Sequence, residues 1–367
     1  TGCEKESVYS FLSLKQAGAV IPGTVYRCHN DASPEVTEIG KKSDRVRVLL
    51  KHKNNTDAPL PVDITAYILN NNCVWDMVPV QIIPVKEEIH SRSHGIIETD
   101  VLADKTVLII GLGSGGSHIA IELAKAGVGN FIIADHDRLE LANIVRHMAP
   151  LSHVGRYKTL SMSDLIHEKN PHAKVTTLQE KLHIGNKEIF REIIKKAHYV
   201  VGATDNNESK RILDRLCVEE DKPCIYAAVF QRAYGGQIFF VRPLETPCFH
   251  CFLMMLRDEQ KEHEISSPEQ AERIAYSDRP VPIEPGLSND IAPISIMAVK
   301  LIIQALLKDT ETTLRSLDED LIGSWYIYLS RREEGTQYAE LEPLKYNIDG
   351  MHILRWYSIK VEPHPGC

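Results

Sequence analysis

The chain has 367 residues, of which 43% are hydrophobic and 25% are charged, and its formal net charge is −8 at pH 7. This length predicts about two domains of an ordinary globular protein. The acidic balance argues against a nucleic-acid-binding surface, and we expect no apolar run near the roughly 20 residues of a membrane span, so neither nucleic acid nor a membrane is predicted as a partner.

Residues 1–88 are predicted to form a small accessory domain of α+β or β-rich type. Residues 7–18 favour a short helix, and the apolar runs 45–52, 62–69 and 74–85 favour strands. Asparagine- and proline-containing stretches separate these runs, as expected of turns. We interpret this domain as a docking module for a protein substrate or a partner.

A glycine-rich turn follows the apolar run Thr106–Ile110, which predicts a buried strand. The glycines fit the G-x-G-x-x-G spacing, and residues 118–126 carry apolar side chains at helical spacing. A strand, a tight turn and a helix N-terminus form an anion site, because backbone N–H groups and the helix dipole favour a phosphate there. The turn residues that we expect at a nucleotide are Gly111, Gly113, Ser114, Gly115 and Gly116.

An acidic residue stands where a nucleotide ribose would need it. The predicted strand 131–134 ends at Asp135, about 20 residues after the glycine turn, and Asp137 follows two positions later. A carboxylate at this distance can accept a hydrogen bond from a ribose hydroxyl. Up to this point the pattern predicts only a nucleotide, and an NAD-dependent oxidoreductase would account for it equally well.

Three further polar residues favour a triphosphate over a dinucleotide. Asn143, Arg146 and Lys158 follow the acidic pair, and two of them are cations. A glycine turn can largely hold the diphosphate of NAD by itself. The leaving pyrophosphate of ATP gains charge as it departs, and Arg, Lys and Mg²⁺ stabilise that charge.

A carboxylate suited to magnesium follows another apolar run. Asp205 ends the run 199–205 and is followed by Asn206. A strand-end carboxylate in an open α/β sheet lies at the ligand crevice, which predicts Asp205 as a Mg²⁺ ligand. Asp205 is alternatively the N-cap of a helix over Asn207–Glu219, and one residue can serve both purposes.

These segments resemble the ThiF/MoeB/HesA family, the adenylating fold of ubiquitin-activating enzymes, over roughly residues 90 to 367. The resemblance implies an α/β fold for residues 89–367, a Rossmann-like ATP-binding adenylation domain with a mixed, mostly parallel sheet. The matching segments are Gly-Leu-Gly-Ser-Gly-Gly (111–116), Asp-His-Asp (135–137), Asn-Ile-Val-Arg (143–146), Gly-Arg-Tyr-Lys (155–158), Ala-Thr-Asp-Asn (203–206) and Pro-Cys-Phe-His-Cys (247–251).

The resemblance implies a role for each polar residue. Asp135 would hold the ATP ribose, and Asp205 would hold Mg²⁺. In this family an arginine before the domain often reaches into the ATP site of the neighbouring subunit; Arg92 looks like that residue, and a solvated surface arginine is the alternative. The residues expected to contact the phosphates are Asn143, Arg146 and Lys158.

The cysteines predict a structural metal. Cys248 and Cys251 form a C-x-x-C, whose spacing suits two thiolates on one zinc ion. Relatives complete this site with a second C-x-x-C near position 367, so we expect Cys367 as the third ligand and a fourth ligand that lies beyond it or is replaced. A redox pair and unligated thiols are the alternatives.

The resemblance also predicts a crossover loop at about residues 256–286, as a lid over the adenylate. Many relatives carry a thioester-forming cysteine there, and this chain has no cysteine between Cys251 and Cys367. Three options follow. The reaction stops at the adenylate, the acyl group passes directly to a cysteine of a partner, or the nucleophile has been substituted in this sequence.

The function implied is ATP-dependent adenylation of the C-terminal glycine of a ubiquitin-like or sulfur-carrier protein by a cytoplasmic homodimer. The extra N-terminal domain and the cysteine-free loop are similar to activating enzymes of bacterial ubiquitin-like conjugation operons, a group linked to antiviral defence, and a conjugating enzyme is a further expected partner. A peptide- or tRNA-modifying adenylase is an alternative with the same chemistry, although the acidic charge balance does not favour tRNA. A non-catalytic scaffold subunit and an NAD-dependent oxidoreductase are the competing functions. A scaffold should have lost phosphate or magnesium ligands, and this sequence retains them.

Overall fold

A computed structural model describes the backbone of five short segments before residue 80 and most of the chain after residue 88. The segments are 3–4, 25–28, 46–51, 63–69 and 75–78, followed by 89–93, 95–256, 286–312, 314, 316–341 and 350–365, with the Gln231 side chain left out. The chain divides into two compact units, Thr1–Val85 and Lys86–Cys367. The predicted helix at 7–18, residues 257–285 of the crossover loop and Cys367 lie outside the described residues.

The described part of the first unit is a five-stranded sheet. Its order is β1-β2-β3-β4-β5, in which β2 and β3 are parallel and the other pairs are antiparallel. The last three strands fall within the predicted runs 45–52, 62–69 and 74–85. The strands are β1 (Cys3–Glu4), β2 (Val25–Cys28), β3 (Val46–Lys51), β4 (Asp63–Leu69) and β5 (Trp75–Val78).

The second unit is built on an eight-stranded sheet of order β13-β12-β11-β10-β9-β6-β7-β8. The five strands from β8 to β10 are parallel, and β11, β12 and β13 add to them as an antiparallel meander. This arrangement confirms the predicted mixed, mostly parallel α/β sheet. The strands are β6 (Thr106–Ile110), β7 (Asn130–Ala134), β8 (Lys174–Leu178), β9 (Tyr199–Gly202), β10 (Cys224–Val229), β11 (Gly235–Val241), β12 (Trp325–Leu329) and β13 (Trp356–Ile359).

Helices cover both faces of this sheet, which explains why its central strands are apolar throughout. Val107 and Ile109 of β6 point to one hydrophobic core, and Leu108 and Ile110 point to the other. The helices are α1 (Thr99–Asp104), α2 (Ser114–Lys125), α3 (Lys158–Lys169), α4 (Lys187–Lys196), α5 (Asn207–Glu219), α6 (Phe249–Met255) and α7 (Ser288–Leu307). The first core contains side chains of α1, α2, α3 and α7, and the second contains those of α4, α5 and α6.

Helix α7 is long and apolar enough to cross a membrane by length and composition, contrary to our expectation that no such stretch exists. Half of its most apolar 18-residue stretch is buried within the protein. Ile294, Ala298 and Ile302 are at most 1% exposed and belong to the first core. Its apolar length therefore serves the packing of α7 against α2 and the sheet.

The strand order creates a ligand crevice at the carboxyl ends of β6 and β9. The chain leaves β6 towards β7 on one side, while β9 lies on the other side, so the connections diverge between them. The Ala203 N–H, just after β9, donates to the carbonyl of Ile110 at the end of β6 (2.8 Å). The glycine turn and the segment before Asp205 thus begin side by side.

Candidate active site

Two positions of the turn accept only glycine, because backbone atoms lie too close for a side chain. Gly111 has φ +92°, and a Cβ built on it would lie 2.5 Å from the Ala203 carbonyl oxygen. A Cβ on Gly116 would lie 2.0 Å from the Gly111 oxygen. A side chain at either position would therefore force the turn apart.

The described residues leave open space beside Gly113, the N-cap of α2. A Cβ built on Gly113 would meet no atom of these residues within 4 Å. Helix α2 begins at Ser114, earlier than the predicted residue 118, so Gly115 lies in its first turn. Within the described residues the N-terminus of α2 is open, which is compatible with a phosphate group there; the phosphate contact itself stays a prediction.

Asp135 ties the turn to the end of β7. Its carboxylate is 8% exposed and accepts the Leu112 N–H at Oδ2 (2.7 Å) and the Asp137 N–H at Oδ1 (2.8 Å). A carboxylate oxygen has more than one lone pair, so each oxygen can still accept a hydroxyl. This geometry is compatible with the predicted ribose contact.

Asp137 and Lys158 form an ion pair at the rim of the crevice. The Lys158 Nζ is 2.7 Å from Asp137 Oδ2, and the lysine side chain is 11% exposed whereas that of the aspartate is 49% exposed. Burial pushes the pKa of Asp137 upward, but the hydrogen bond and the charge of Lys158 lower it below its usual range. The nearly buried Lys158 side chain is thus held against Asp137, two residues after Asp135.

The segment between Asp137 and Lys158 is fixed as a loop by Arg138. Its guanidinium lies 4.0 Å from the Tyr157 ring centroid and donates to the Gly155 carbonyl (2.8 Å). Asn143 closes a capping box with Glu140, whose N–H it binds at 3.1 Å, so the carboxamide N–H groups are the part suited to a phosphate. The Arg146 Nη1 would lie 3.6 Å from a Cβ on Gly286, where the described chain resumes.

His147, which the sequence did not predict as a site residue, lies beside the glycine turn. Its imidazole is 7% exposed; Nε2 lies 2.8 Å from the Leu112 carbonyl oxygen, and Nδ1 accepts the Ala149 N–H at 2.9 Å. Burial lowers the pKa of His147 to about 4, against the opposing effect of the Leu112 hydrogen bond. The only signal in the sequence was its position directly after Arg146.

Asp205 is exposed after β9, at the crevice. The alternative role of Asp205 as an N-cap is wrong, because Asn206 is the N-cap of α5 and accepts the Ser209 N–H (2.7 Å). Thr204 Oγ1 and Asn207 Oδ1 are buried without a hydrogen-bond partner among the described residues. Unsatisfied oxygens on both sides of Asp205 fit a bound cation or ligand.

Arg92 is exposed in the turn at residues 90–93, in which the Ser93 N–H donates to the carbonyl of the buried His90 (2.9 Å). The structure describes a single chain. Its predicted contact with a neighbouring subunit stays a prediction.

The cysteine pair has the separation that a shared metal requires. The sulfurs of Cys248 and Cys251 are 3.6 Å apart, near the about 3.8 Å expected for two thiolates on tetrahedral zinc. The His364 N–H donates to the Cys251 sulfur (3.3 Å), which brings the segment before Cys367 to the pair. Within 89–256 and the described parts of 286–365, no third ligating side chain lies close enough to both sulfurs.

A buried carboxylate, also missed from the sequence, supports this pair. Asp214 of α5 is 4% exposed and accepts the N–H groups of Phe249 and His250 in the first turn of α6 and the Tyr226 hydroxyl (3.3 Å). Burial raises the pKa of Asp214 to about 6, and these hydrogen bonds oppose the increase. Asp214 thereby caps the helix that begins after Cys248.

Comparison with known proteins assigns the chain to a family. The model of the ThiF family matches residues 88–323, which is more than half of the chain. This chain belongs to the ThiF family. The family predicted from the nucleotide and cysteine motifs is therefore confirmed.

Individual ThiF relatives are matched over part of their length. The chain is 32% identical over 152 residues to the sulfur carrier protein ThiS adenylyltransferase of Escherichia coli (strain K12), which covers 41% of this chain and 59% of that protein. It is 28% identical over 166 residues to ubiquitin-like modifier-activating enzyme 5 of Caenorhabditis elegans, covering 43% and 40%. The chain thus spans less than two thirds of these curated relatives.

Solved structures support the same fold. E. coli MccB with succinimide has a TM-score of 0.54 at 18% identity and covers 76% of this chain and 73% of that chain. PaaA has a TM-score of 0.52 at 16% identity, covering 69% and 74%. At this level of identity, the likeness concerns the fold alone.

Proposed function

We propose that this ThiF-family chain uses ATP and Mg²⁺ to adenylate the C-terminal glycine carboxylate of a ubiquitin-like or sulfur-carrier protein. A carboxylate oxygen of that tail bonds to the α-phosphorus of ATP, and the bond from this phosphorus to the oxygen bridging to the β-phosphate breaks. The products are an acyl adenylate and pyrophosphate. The names of two relatives, a ThiS adenylyltransferase and a ubiquitin-like modifier-activating enzyme, support this substrate class.

The observation that carries the proposal is that hydrogen bonds and an ion pair tie the segments bearing Asp135, Arg146 and Lys158 to one glycine turn, directly or through Asp137. Asp135 accepts the Leu112 N–H. His147, the residue after Arg146, binds the Leu112 carbonyl, and Lys158 pairs with Asp137, two residues after Asp135. Arg146 and Lys158 would stabilise the negative charge that develops on the phosphates. A dinucleotide oxidoreductase has no need of these two cations.

Magnesium and zinc would have different tasks. Asp205, exposed at the crevice between unsatisfied oxygens of Thr204 and Asn207, would hold Mg²⁺ against the phosphates. Cys248 and Cys251, with Cys367, would hold a structural zinc that fixes α6 and the chain end. A zinc ion held by these thiolates would add stability rather than chemistry.

The assembly proposed for this function is a cytoplasmic homodimer that acts on a carrier protein and passes the acyl group to a partner such as a conjugating enzyme. Arg92 is the residue proposed to complete the neighbouring ATP site. The extra unit before residue 86 is proposed as the docking module for the carrier or the partner.

The decisive experiment is ATP–pyrophosphate exchange with a glycine-terminated ubiquitin-like protein encoded beside the gene for this chain. We expect exchange that requires the terminal glycine and Mg²⁺, and that falls at least about 100-fold in Asp205→Asn. Asp309→Asn is the matched control, because Asp309 is an exposed carboxylate in the turn after α7. Wild-type rates in Asp205→Asn would reject the metal role of Asp205, and no exchange in the wild type would favour a scaffold.

A further inference from the structure

We infer that His147 is a positioning residue that aims the backbone of the glycine turn at the ATP phosphates. The inference rests on the proposed function for its ligand, since the nucleotide is ATP only if the chain is an adenylating enzyme. The hydrogen-bond geometry on which it stands belongs to the protein alone.

The hydrogen bonds of His147 define its tautomer. The Leu112 carbonyl can only accept, so Nε2 of His147 must carry the proton in the 2.8 Å contact. The Ala149 N–H can only donate, so Nδ1 must be unprotonated to accept it at 2.9 Å. Both ring nitrogens are therefore committed, and the imidazole is neutral.

The peptide held by His147 is the one that faces the open space of the turn. The Leu112 carbonyl and the Gly113 N–H belong to the same trans peptide unit and point in opposite directions. Holding the carbonyl on the His147 side therefore directs the Gly113 N–H away from His147. Since a Cβ on Gly113 would meet no atom of the described residues within 4 Å, that part of the chain leaves room for a phosphate beside Gly113.

The preceding peptide is fixed from another side, which leaves the turn little freedom. The Leu112 N–H donates to Asp135 Oδ2 at 2.7 Å, so Asp135 and His147 hold successive peptide groups of the same turn. We call the His147–Leu112 hydrogen bond the clamp. Since His147 directly follows Arg146, the clamp also fixes the position of the Arg146 backbone relative to the turn. One imidazole thus couples the orientation of a phosphate-binding N–H to the place of a phosphate-binding cation.

Ser117 provides a matched control for this clamp. Its hydroxyl accepts the Met148 N–H (3.3 Å) and donates to the Ser114 carbonyl (2.9 Å), so it also ties the segment after Arg146 to α2. Unlike His147, the Ser117 hydroxyl makes no hydrogen bond with Leu112 among the described residues. Ser117→Ala therefore loosens the same segment while leaving the Leu112 carbonyl bound.

The test measures ATP·Mg²⁺ binding by titration calorimetry for the full chain and three variants. His147→Leu removes both hydrogen bonds, and we expect the Kd for ATP to rise about 10- to 100-fold. His147→Gln keeps one donor and one acceptor, and we expect a Kd within about threefold of wild type, as for Ser117→Ala. In the exchange assay the KM for ATP should rise in His147→Leu while the KM for the carrier protein stays unchanged.

The outcomes separate the clamp from the proposed function. If the wild type binds no ATP, the proposed function fails. If the wild type binds ATP and His147→Leu binds it equally well, or Ser117→Ala loses as much affinity, the positioning role is overturned. Should His147→Leu fail to fold, ¹⁵N NMR of histidine-labelled wild type decides, because an Nδ1–H tautomer or an imidazolium at pH 6 would exclude the clamp.

Discussion

Two glycines after β6 are needed by the protein itself, whereas Gly113 is not. Gly111 and Gly116 avoid contacts of 2.5 and 2.0 Å with backbone oxygens, whereas a Cβ on Gly113, with φ −68°, would meet no atom of the described residues within 4 Å. Glycine at position 113 is therefore not required by a close contact within the described part of the chain, and it serves as the N-cap of α2. This distinction turns a shared motif into separate experimental tests.

We predict that alanine at Gly116 lowers the stability of the protein, whereas alanine at Gly113 weakens ATP binding. Gly116→Ala should destabilise the protein by about 1–3 kcal/mol or more, because the new Cβ would meet the Gly111 oxygen. Gly113→Ala should change stability by less than about 1 kcal/mol yet weaken ATP binding, because the methyl group would occupy phosphate space. Denaturant melts and calorimetric titration check both; undiminished ATP affinity in Gly113→Ala would place the phosphate elsewhere.

His147 also gives a pH dependence whose sign follows from its environment. Burial lowers its pKa from 6.5 to about 4, and the nearby charges of Lys158 and His118 act in the same direction. Because the unfolded chain binds the proton more readily, the stability contribution is complete above pH 6.5 and is lost as the pH falls towards 4.

The wild type should therefore lose about 2 kcal/mol more stability than His147→Gln between pH 7.5 and pH 5. Urea melts of both proteins at the two pH values give this difference directly, and other titrating groups cancel in the comparison. An equal loss in the two proteins would mean that His147 is protonated as easily in the folded state as in the unfolded chain.

At the scale of elements, local patterns predicted the strand–turn–helix unit well. The apolar run Thr106–Ile110 is β6 with the predicted bounds, and Asn207–Glu219 is α5. The start of α2 was missed by four residues, since serine and glycine at 114–116 have weak helix propensity, and contacts with α7 such as Ser295 Oγ to the Gly115 carbonyl (3.2 Å) support that turn.

Residues that act through long-range contacts could not be predicted. His147 reaches Leu112 across 35 positions of sequence, and Asp214 of α5 caps α6. Neither residue stands in a distinctive spacing, since His147 binds backbone groups and Asp214 binds two backbone N–H groups and the Tyr226 hydroxyl, all distant in sequence or without a recognisable side-chain pattern. The motif residues were predictable because their side-chain types and spacing indicate their chemistry. The roles of His147 and Asp214 depend on which distant segments the fold brings together.

The cysteine pair on α6 gives a prediction for the metal. Cys248→Ser and Cys251→Ser should each reduce zinc from about one ion per chain to near zero and lower the thermal midpoint, because two thiolates are half of a tetrahedral site. Cys217→Ala is the control, because it removes a thiol of α5 that is fully buried in the second core, and the zinc content should stay unchanged. Zinc content by mass spectrometry and melting with and without chelator are the measurements; full zinc in Cys251→Ser would exclude this pair.

At the scale of the whole molecule, the proposed ATP site is shared between two subunits of a dimer, and pairing two different variants can test this. In a two-fold dimer, each ATP site would combine its own Arg146 with Arg92 of the other subunit. An Arg92→Ala chain paired with an Arg146→Ala chain then contains one site with both arginines intact and one site with neither. If the two residues came from the same chain, both sites would lack one arginine.

We therefore predict that purified mixed dimers, selected through a different affinity tag on each variant, recover about half of the wild-type exchange rate. Each variant alone should fall at least about 100-fold, since each site then lacks one charge-stabilising arginine. Dimers assembled from two differently tagged Arg92→Ala chains control for the tags. A mixed dimer as inactive as either parent would contradict the shared site, because two-fold symmetry requires one complete site whenever Arg92 acts across the interface.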